Sequence, residues 1–213
     1  MDSASLLIDL HLLPSLEYFC VLSEYNNIVF EKHEHYVKQS YRNRCYINTT
    51  QGVKTLSVPL TNKRGKVSFG DVKIDYSTRW QNVFWRTIES AYRNSPYFEH
   101  YCDDLHKIIY SHKNFIFDLN LELLSFCLVS LKWSRRLTVT SLYEKIVNEP
   151  FSDMRSAITS RNTYIAREFY RPTPYYQVFG NSFEENLSVL DLLFCTGPEA
   201  GQILAGSRTR LNK

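Results

Sequence analysis

The stretch LLIDLHLLPSLEYFCVLSEYNNIVF, Leu6–Phe30, decides the fold. Its apolar run from Leu6 to Leu13 carries one acid, Asp9, and stops at Pro14, which reads as a buried strand leading into a loop. From about Ser15 to Ser23 the pattern turns helical. Asn26 and Asn27 then precede Ile28-Val29-Phe30, a second strand that ends in the polar EKHEHY segment. Strand, helix, strand is the opening of a parallel sheet, because parallel neighbours need a crossover that a helix usually supplies.

Working outward, CYINTTQGVKTLSVPL, Cys45–Leu60, holds two β-prone runs around Thr49-Thr50-Gln51-Gly52 and predicts a hairpin that Pro59 ends. NKRGK, Asn62–Lys66, reads as a flexible basic loop, and Asp71–Asp75 as a further β-prone run. The central third changes period. Ser77 or Thr78 can cap a helix through about Arg93, with Trp80, Phe84, Ile88, Ala91 and Tyr92 on one face. Pro96 starts a second helix with the stripe Phe98, Tyr101, Cys102, Leu105, Ile108 and Ile109. A third runs from Asn114 to Lys132, its stripe widened by Leu121, Leu124, Leu128 and Val129, as in a central packing helix.

Leu137–Thr140 reads as a returning strand and Ser141–Ile146 as a short helix. Pro150–Gln177 is irregular, with helical character near Met154–Thr159, and folds over the body of the domain. Asn186 or Ser188 caps a last helix holding Leu187, Leu190, Leu193 and Phe194, which Gly197-Pro198 stops. The predicted architecture is one α/β domain over residues 1–200, a mostly parallel or mixed sheet flanked by helices with a Rossmann-like topology open to it. Residues 201–213 form a short, polar, basic, frayed C-terminal tail.

Composition bounds the function. The 213 residues suffice for one sizeable core, and a formal charge of +3 is too small to favour nucleic acid as a partner. Tyr, Phe and Trp make up 15% of the chain, more ring surface than one core takes up, so some rings should line a pocket or an interface. Cys20, Cys45, Cys102, Cys127 and Cys195 are widely spaced and odd in number, which predicts reduced thiols and a cytoplasmic setting. The N-terminus lacks a basic region before its apolar run and never reaches the span of a membrane helix, so neither a secretion signal nor a transmembrane segment is expected.

The polar chemistry concentrates in EKHEHYVKQSYRNRCYI, Glu31–Ile47. Glu31, His33 and His35 would share one side of a strand and make a three-ligand metal face, but no Cys or further His follows at zinc spacing, so no metal site is assigned. Lys38, Gln39, Arg42, Asn43 and Arg44 combine guanidinium forks, a point charge and amides, a set suited to a phosphate or carboxylate on a hydrogen-bonding body. Arg42 and Arg44 are expected to be inequivalent, one facing a ligand and the other an internal carboxylate. Asp9 and His11 come next to it as the acid–base candidates at the end of the first strand, with Arg42 as the anion clamp. There is no Walker loop, GxGxxG, GxSxG or HExxH pattern, and the sequence names no cofactor.

Taken together, LLPSLEYF (Leu12–Phe19), YVKQSYRNRCYI (Tyr36–Ile47), GVKTLSVPL (Gly52–Leu60), WQNVFWRTIESAYRNSPYFEHY (Trp80–Tyr101), YYQVFG (Tyr175–Gly180) and NLSVLDLLFCTGPEA (Asn186–Ala200) resemble the WbqC-like protein family. The match carries Pro14 and Tyr18-Phe19, the polar RNR-type segment and the helix positions Asn186, Ser188 and Asp191. Two departures stand out: Asp9-Leu10 where relatives carry Gln-Pro, and Glu17 where a glycine is common before the aromatic pair. The resemblance implies an α/β protein associated with O-antigen and surface-polysaccharide biosynthesis, with group transfer to a sugar-linked or other small intermediate as its activity. A transferase with a small anionic or nucleotide-linked substrate is therefore the leading expectation, and a non-catalytic ligand-binding or scaffold protein of a biosynthetic complex the alternative. A homo-oligomer is left open.

Overall fold

The computed structural model describes residues 5–61, 66–147, 150–160, 164–180 and 182–209. The Leu6–Phe30 stretch folds as read: β1 (Ser5–Ile8), α1 (Leu16–Ser23) and β2 (Asn27–Phe30), with Leu6, Leu7 and Ile8 paired in parallel to Ile28, Val29 and Phe30. Two further parallel strands complete the sheet. β5 (Arg136–Val139) adds beside β2 and β6 (Phe151–Asp153) beside β1, giving the order β5-β2-β1-β6. Successive strands step outward from β1 to β2 to β5, whereas β6 returns to the other flank of β1. The strand order therefore reverses at the β1/β6 junction, the kind of point where open parallel sheets part their connecting loops and leave a crevice.

Between β2 and β5 the chain makes an antiparallel hairpin, β3 (Arg44–Ile47) with β4 (Lys54–Ser57), in the register Arg44↔Ser57 to Ile47↔Lys54. Gly52 turns it with a φ of 88°, a left-handed backbone that suits glycine. Three helices follow: α2 (Trp80–Tyr92), α3 (Phe98–Ile109) and α4 (Ile116–Ser130). α4 buries eight of its residues, including Phe117, Leu123, Leu124 and Cys127, as a central packing helix does, although Val129 points outward. α5 (Val189–Thr196) is buried along its whole length, with the Ser188 hydroxyl accepting from the Leu190 amide at its start. Its entry is stitched to the loop after β1, where Leu16 N–H donates to Leu187 O and Val189 N–H to Pro14 O. All five cysteines are free thiols, four of them buried.

Four expectations need correction. Ser141–Ile146 is an exposed run of bends, not a helix, since its Leu142 and Ile146 find no surface to pack on. Met154–Thr159 is a turn, and the regular element lies just before it as β6, whose three residues FSD are too few and too polar to show periodicity. Asp71–Asp75 makes only isolated bridges, Leu60↔Ile74 and Lys73↔Phe115. The tail is not frayed from 201 onward. α6 (Ala200–Ser207) buries Leu204 and Ser207, and the Cys20 thiol donates to Leu204 O at 3.7 Å. Of the basic loop, Asn62–Gly65 lie outside the described residues, as do residues 210–213.

Candidate functional site

The segment between β2 and β3 separates two neighbouring cavities. At its end β3 alternates, with Cys45 and Ile47 buried and Arg44 and Tyr46 half-buried, but the turn that precedes the strand does not continue that alternation. Arg42, two residues earlier, is buried at 3% exposure. Its guanidinium donates to Asp9 Oδ1 at 3.0 Å, to the Glu34 carboxylate and to the His35 carbonyl at 2.9 Å, and lies 5.2 Å from the Phe69 ring centroid. Asn120 of α4 holds the turn from below by donating to Arg42 O at 2.8 Å. The remaining oxygen of Asp9 accepts from the Ser156 amide at 2.9 Å, so the carboxylate is answered on both sides. Desolvation, helped by Asp9, raises the Glu34 pKa against the pull of Arg42.

Arg44 has the opposite environment. With Tyr36, Lys38, Gln39, Asn43, Thr61 and Lys73 it lines a cavity of about 290 Å³ floored by Leu60, Val67 and Val72. Among the described residues no carboxylate pairs with Lys38, Arg44 or Lys73. The Arg44 Nε is buried without a hydrogen-bond partner. Asn43 is less free, since it accepts from Tyr36 Oη at 2.9 Å and donates to Val58 O at 3.0 Å. Lys38, Arg44 and Lys73 can thus answer negative charge, while Tyr36 and Asn43 form a fixed polar wall.

The second cavity, about 220 Å³, opens at the β1/β6 junction. Asp9 and His11 reach it from the end of β1, Ser156, Ile158, Thr159 and Ser160 from the end of β6, and Gln39, Tyr41 and Arg42 from the intervening segment. Gln39 lines both cavities. His11 packs between two rings, 4.6 Å from Tyr18 and 5.2 Å from Tyr41 by centroid, and its Nδ1 is buried without a partner. Burial lowers its pKa to about 4, so the imidazole is neutral near pH 7. No hydrogen bond joins it to Asp9 among the described residues.

The predicted residues therefore divide. Asp9, His11 and Arg42 meet at the junction cavity, Lys38, Asn43 and Arg44 in the cationic one, and Gln39 stands between. Sequence reasoning missed Glu34, Thr61, Lys73 and Ser156. Glu34 sat inside the polar segment and carried a signal, whereas Lys73 and Ser156 are brought in from distant elements and carried none. Glu17, the departure at a glycine position, is fully buried and faces Arg167, which donates to both of its oxygens at 2.6 Å and clamps the irregular segment to α1. Glu31 is likewise occupied: it accepts from Thr140 Oγ1, the His33 amide and Arg155. Among the described residues no group of three or more His, Cys, Asp or Glu is placed to hold a metal ion, and no helix is long and apolar enough to cross a membrane.

No solved structure matches the chain. An uncharacterized protein of Mycobacterium tuberculosis (strain ATCC 25618 / H37Rv), Rv1507c, is 29% identical over 220 residues, covering 90% of this chain and 93% of that protein. The profile of the WbqC-like protein family matches residues 11–167 and 160–203, a span that takes in every lining residue of both cavities except Asp9. The chain belongs to the WbqC-like protein family.

Proposed function

We propose that the protein is an enzyme that takes a small anionic, nucleotide- or sugar-linked intermediate and transfers a group in surface-polysaccharide synthesis. The charged end of the intermediate sits among Lys38, Gln39, Asn43 and Arg44, with Lys73 opposite. Its reacting end reaches past Gln39 toward His11 and Asp9. One observation carries this reading: three cationic side chains line one cavity and, among the described residues, no carboxylate pairs with them. Arg44, half-buried, favours a phosphate or carboxylate more than the exposed Lys38 and Lys73 do, and the two lysines add charge at the rim. Arg42 does not act as the clamp, because its fork is already spent on Asp9 and Glu34. The free thiols support a reducing, cytoplasmic setting.

A second reading, a binding protein without chemistry, has its own support. The Asp9 carboxylate is fully engaged, and His11, with a pKa lowered to about 4, is a weak base. A thermal-shift series with inorganic phosphate, inorganic diphosphate, nucleoside diphosphates and nucleotide sugars tests the shared step, since a ligand that binds the folded form raises the midpoint by mass action. Stabilisation that vanishes in Arg44→Ala is the expected result, and none from any anion sinks the proposal. Phosphorus NMR of the stabilising compound, incubated with the protein and a mixture of candidate acceptors, then separates the readings. Turnover lost in His11→Gln marks an enzyme, and a compound returned unchanged from every mixture marks a binding protein.

A further inference from the structure

We infer that the cavity at the β1/β6 junction is a second binding site, built for an uncharged hydroxyl- or amide-bearing molecule, the co-substrate of the anion held next door. Its role as co-substrate site rests on the function proposed above; its preference for a neutral ligand does not. The place itself is the first reason. Loops leaving β1 and β6 diverge where the strand order reverses, and they deliver Asp9 and His11 from one side and Ser156 through Ser160 from the other.

Charge is the second reason. Of the residues that line the cavity, the charged pair is Arg42 with Asp9, whose charges cancel; Glu34, which also binds the guanidinium, is not part of the lining and burial raises its pKa, and the neighbouring Arg167 is bound by Glu17. His11 is neutral near pH 7 because burial disfavours its charged form. Among the described residues that line this cavity a charged ligand would find no free counter-charge and would lose its hydration, which is unfavourable for an ion and tolerable for a neutral polar molecule.

The unused hydrogen-bonding capacity is the third. Ser40 and Ser160 spend their protons on Val37 O and Gln39 O, at 2.7 and 2.9 Å; Ser160 keeps its acceptor lone pairs, and Ser40 keeps one beside the one that takes the Arg42 amide at 3.4 Å. The hydroxyls of Ser156 and Thr159 form no hydrogen bond among the described residues. Tyr41 and Ile158 supply apolar surface between these groups. This mixture of hydroxyl donors and acceptors with one ring face fits a compact molecule that offers both donors and acceptors of its own. Two of the lining residues, Gln39 and Ser156, hold left-handed backbone with φ of 58° and 57°. Non-glycine residues held in that region cost free energy, and such positions concentrate at ligand sites. Because Gln39 walls both cavities, a ligand in each would lie side by side, which is the arrangement a two-substrate transfer needs.

The test uses the full chain with labelled histidine, arginine and isoleucine side chains and three related probes: neutral N-acetylglucosamine, cationic glucosamine and anionic glucuronate. The neutral sugar should shift the His11 ring and Ile158 methyl signals, with the two charged sugars at least about tenfold weaker. Thr159→Val, which keeps the shape and removes one hydroxyl, should weaken the neutral sugar and leave inorganic diphosphate unaffected at the Arg44 Nε–H signal. Equal or stronger shifts from either charged sugar, or no shift at His11 and Ile158 from the neutral one at its solubility limit, would overturn the inference. A diphosphate that leaves Arg44 unmoved while the neutral sugar still binds removes the anion reading and the co-substrate role but sustains a neutral-ligand site.

Discussion

Arg42 and Arg44 stand two residues apart and live in different electrostatic worlds. The first is buried, with two carboxylates and a carbonyl on its guanidinium; the second is half-buried, faces a cavity and leaves its Nε without a partner. Asn43 between them helps to set the divergence, since its side chain is tied to Tyr36 and to Val58 O across the hairpin. The contrast teaches that a run of cations in a sequence is not one site. A buried arginine needs its counter-charges built into the fold, and once they are built it has nothing left for a ligand. An arginine whose cavity lacks acids keeps its charge available.

The largest expected effect is therefore structural. Arg42→Ala leaves Asp9 buried and Glu34 half-buried without their cation, and should lower stability by about 3 to 5 kcal/mol, read from the urea midpoint at unchanged slope. A midpoint within experimental error of the wild type would dissolve the contrast, since Arg42 would then be as dispensable to the fold as a cavity-lining cation. Leu193→Ala provides an apolar yardstick at a residue that lines neither cavity. Leu193 is fully buried in α5, so its truncation should cost about 2 to 5 kcal/mol through lost burial and an incompletely closed cavity. If Arg42→Ala falls well below that yardstick, water reaches the Asp9–Arg42–Glu34 group and it is not a buried knot.

Acid probes the same group through its neighbour. His11 titrates in the fold near pH 4 against an ordinary 6.5, so the unfolded chain binds its proton first. The stability His11 contributes is whole above about pH 6.5 and is lost as pH falls toward 4, a difference on the order of 3 kcal/mol. Glu34 and Asp191 act with the opposite sign. Burial raises both, so each favours the folded state as pH falls through the interval between its folded and ordinary values. The measurement is accordingly the difference between wild type and His11→Gln in unfolding free energy from pH 7 to 4. That difference should shrink with acid, and a difference constant across the range would mean that His11 is already solvated.

The sheet's opening was legible because the Leu6–Phe30 stretch states its period three times, and the hairpin because two β-prone runs flank Gly52. β6 was not, since three residues carry no period and its identity depends on pairing with β1 from far along the chain. α6 was hidden by small residues, Ala200, Gly201, Ala205 and Gly206, and the residues it buries, Ala200, Leu204 and Ser207, make no apolar stripe that a local pattern would show. At the site, the inequality of Arg42 and Arg44 was expected, but strand alternation does not produce it, since residues two apart share a face; it arises because Arg42 lies in the turn before β3, and which of the two met carboxylates was not legible. Glu34 was visible only as one more charge in a polar run, and Asp9 reaches Arg42 only once β1 and the turn before β3 are folded together. The division of the polar set into two cavities depends on Ser156 and Lys73, which nothing in their local sequence connects to it.

The smallest expected change in stability carries the most functional information. Arg44 forms no ion pair among the described residues, so Arg44→Ala should move the unfolding free energy by no more than about 0.5 kcal/mol. It could even stabilise, because Lys38 and Lys73 line the same cavity and the substitution relieves repulsion among like charges. Binding of inorganic diphosphate, followed by calorimetry at low salt, should fall sharply in Arg44→Ala. Arg44→Lys should recover part of the affinity, since lysine keeps the charge while losing the planar fork that meets two oxygens at once. Full recovery by lysine would assign the cavity to a diffuse electrostatic role. No recovery would assign it to fork geometry, and with it the buried Nε as the donor that the bound anion satisfies. An Arg44→Ala variant that loses stability on the scale of Arg42→Ala would erase the difference between the two arginines altogether.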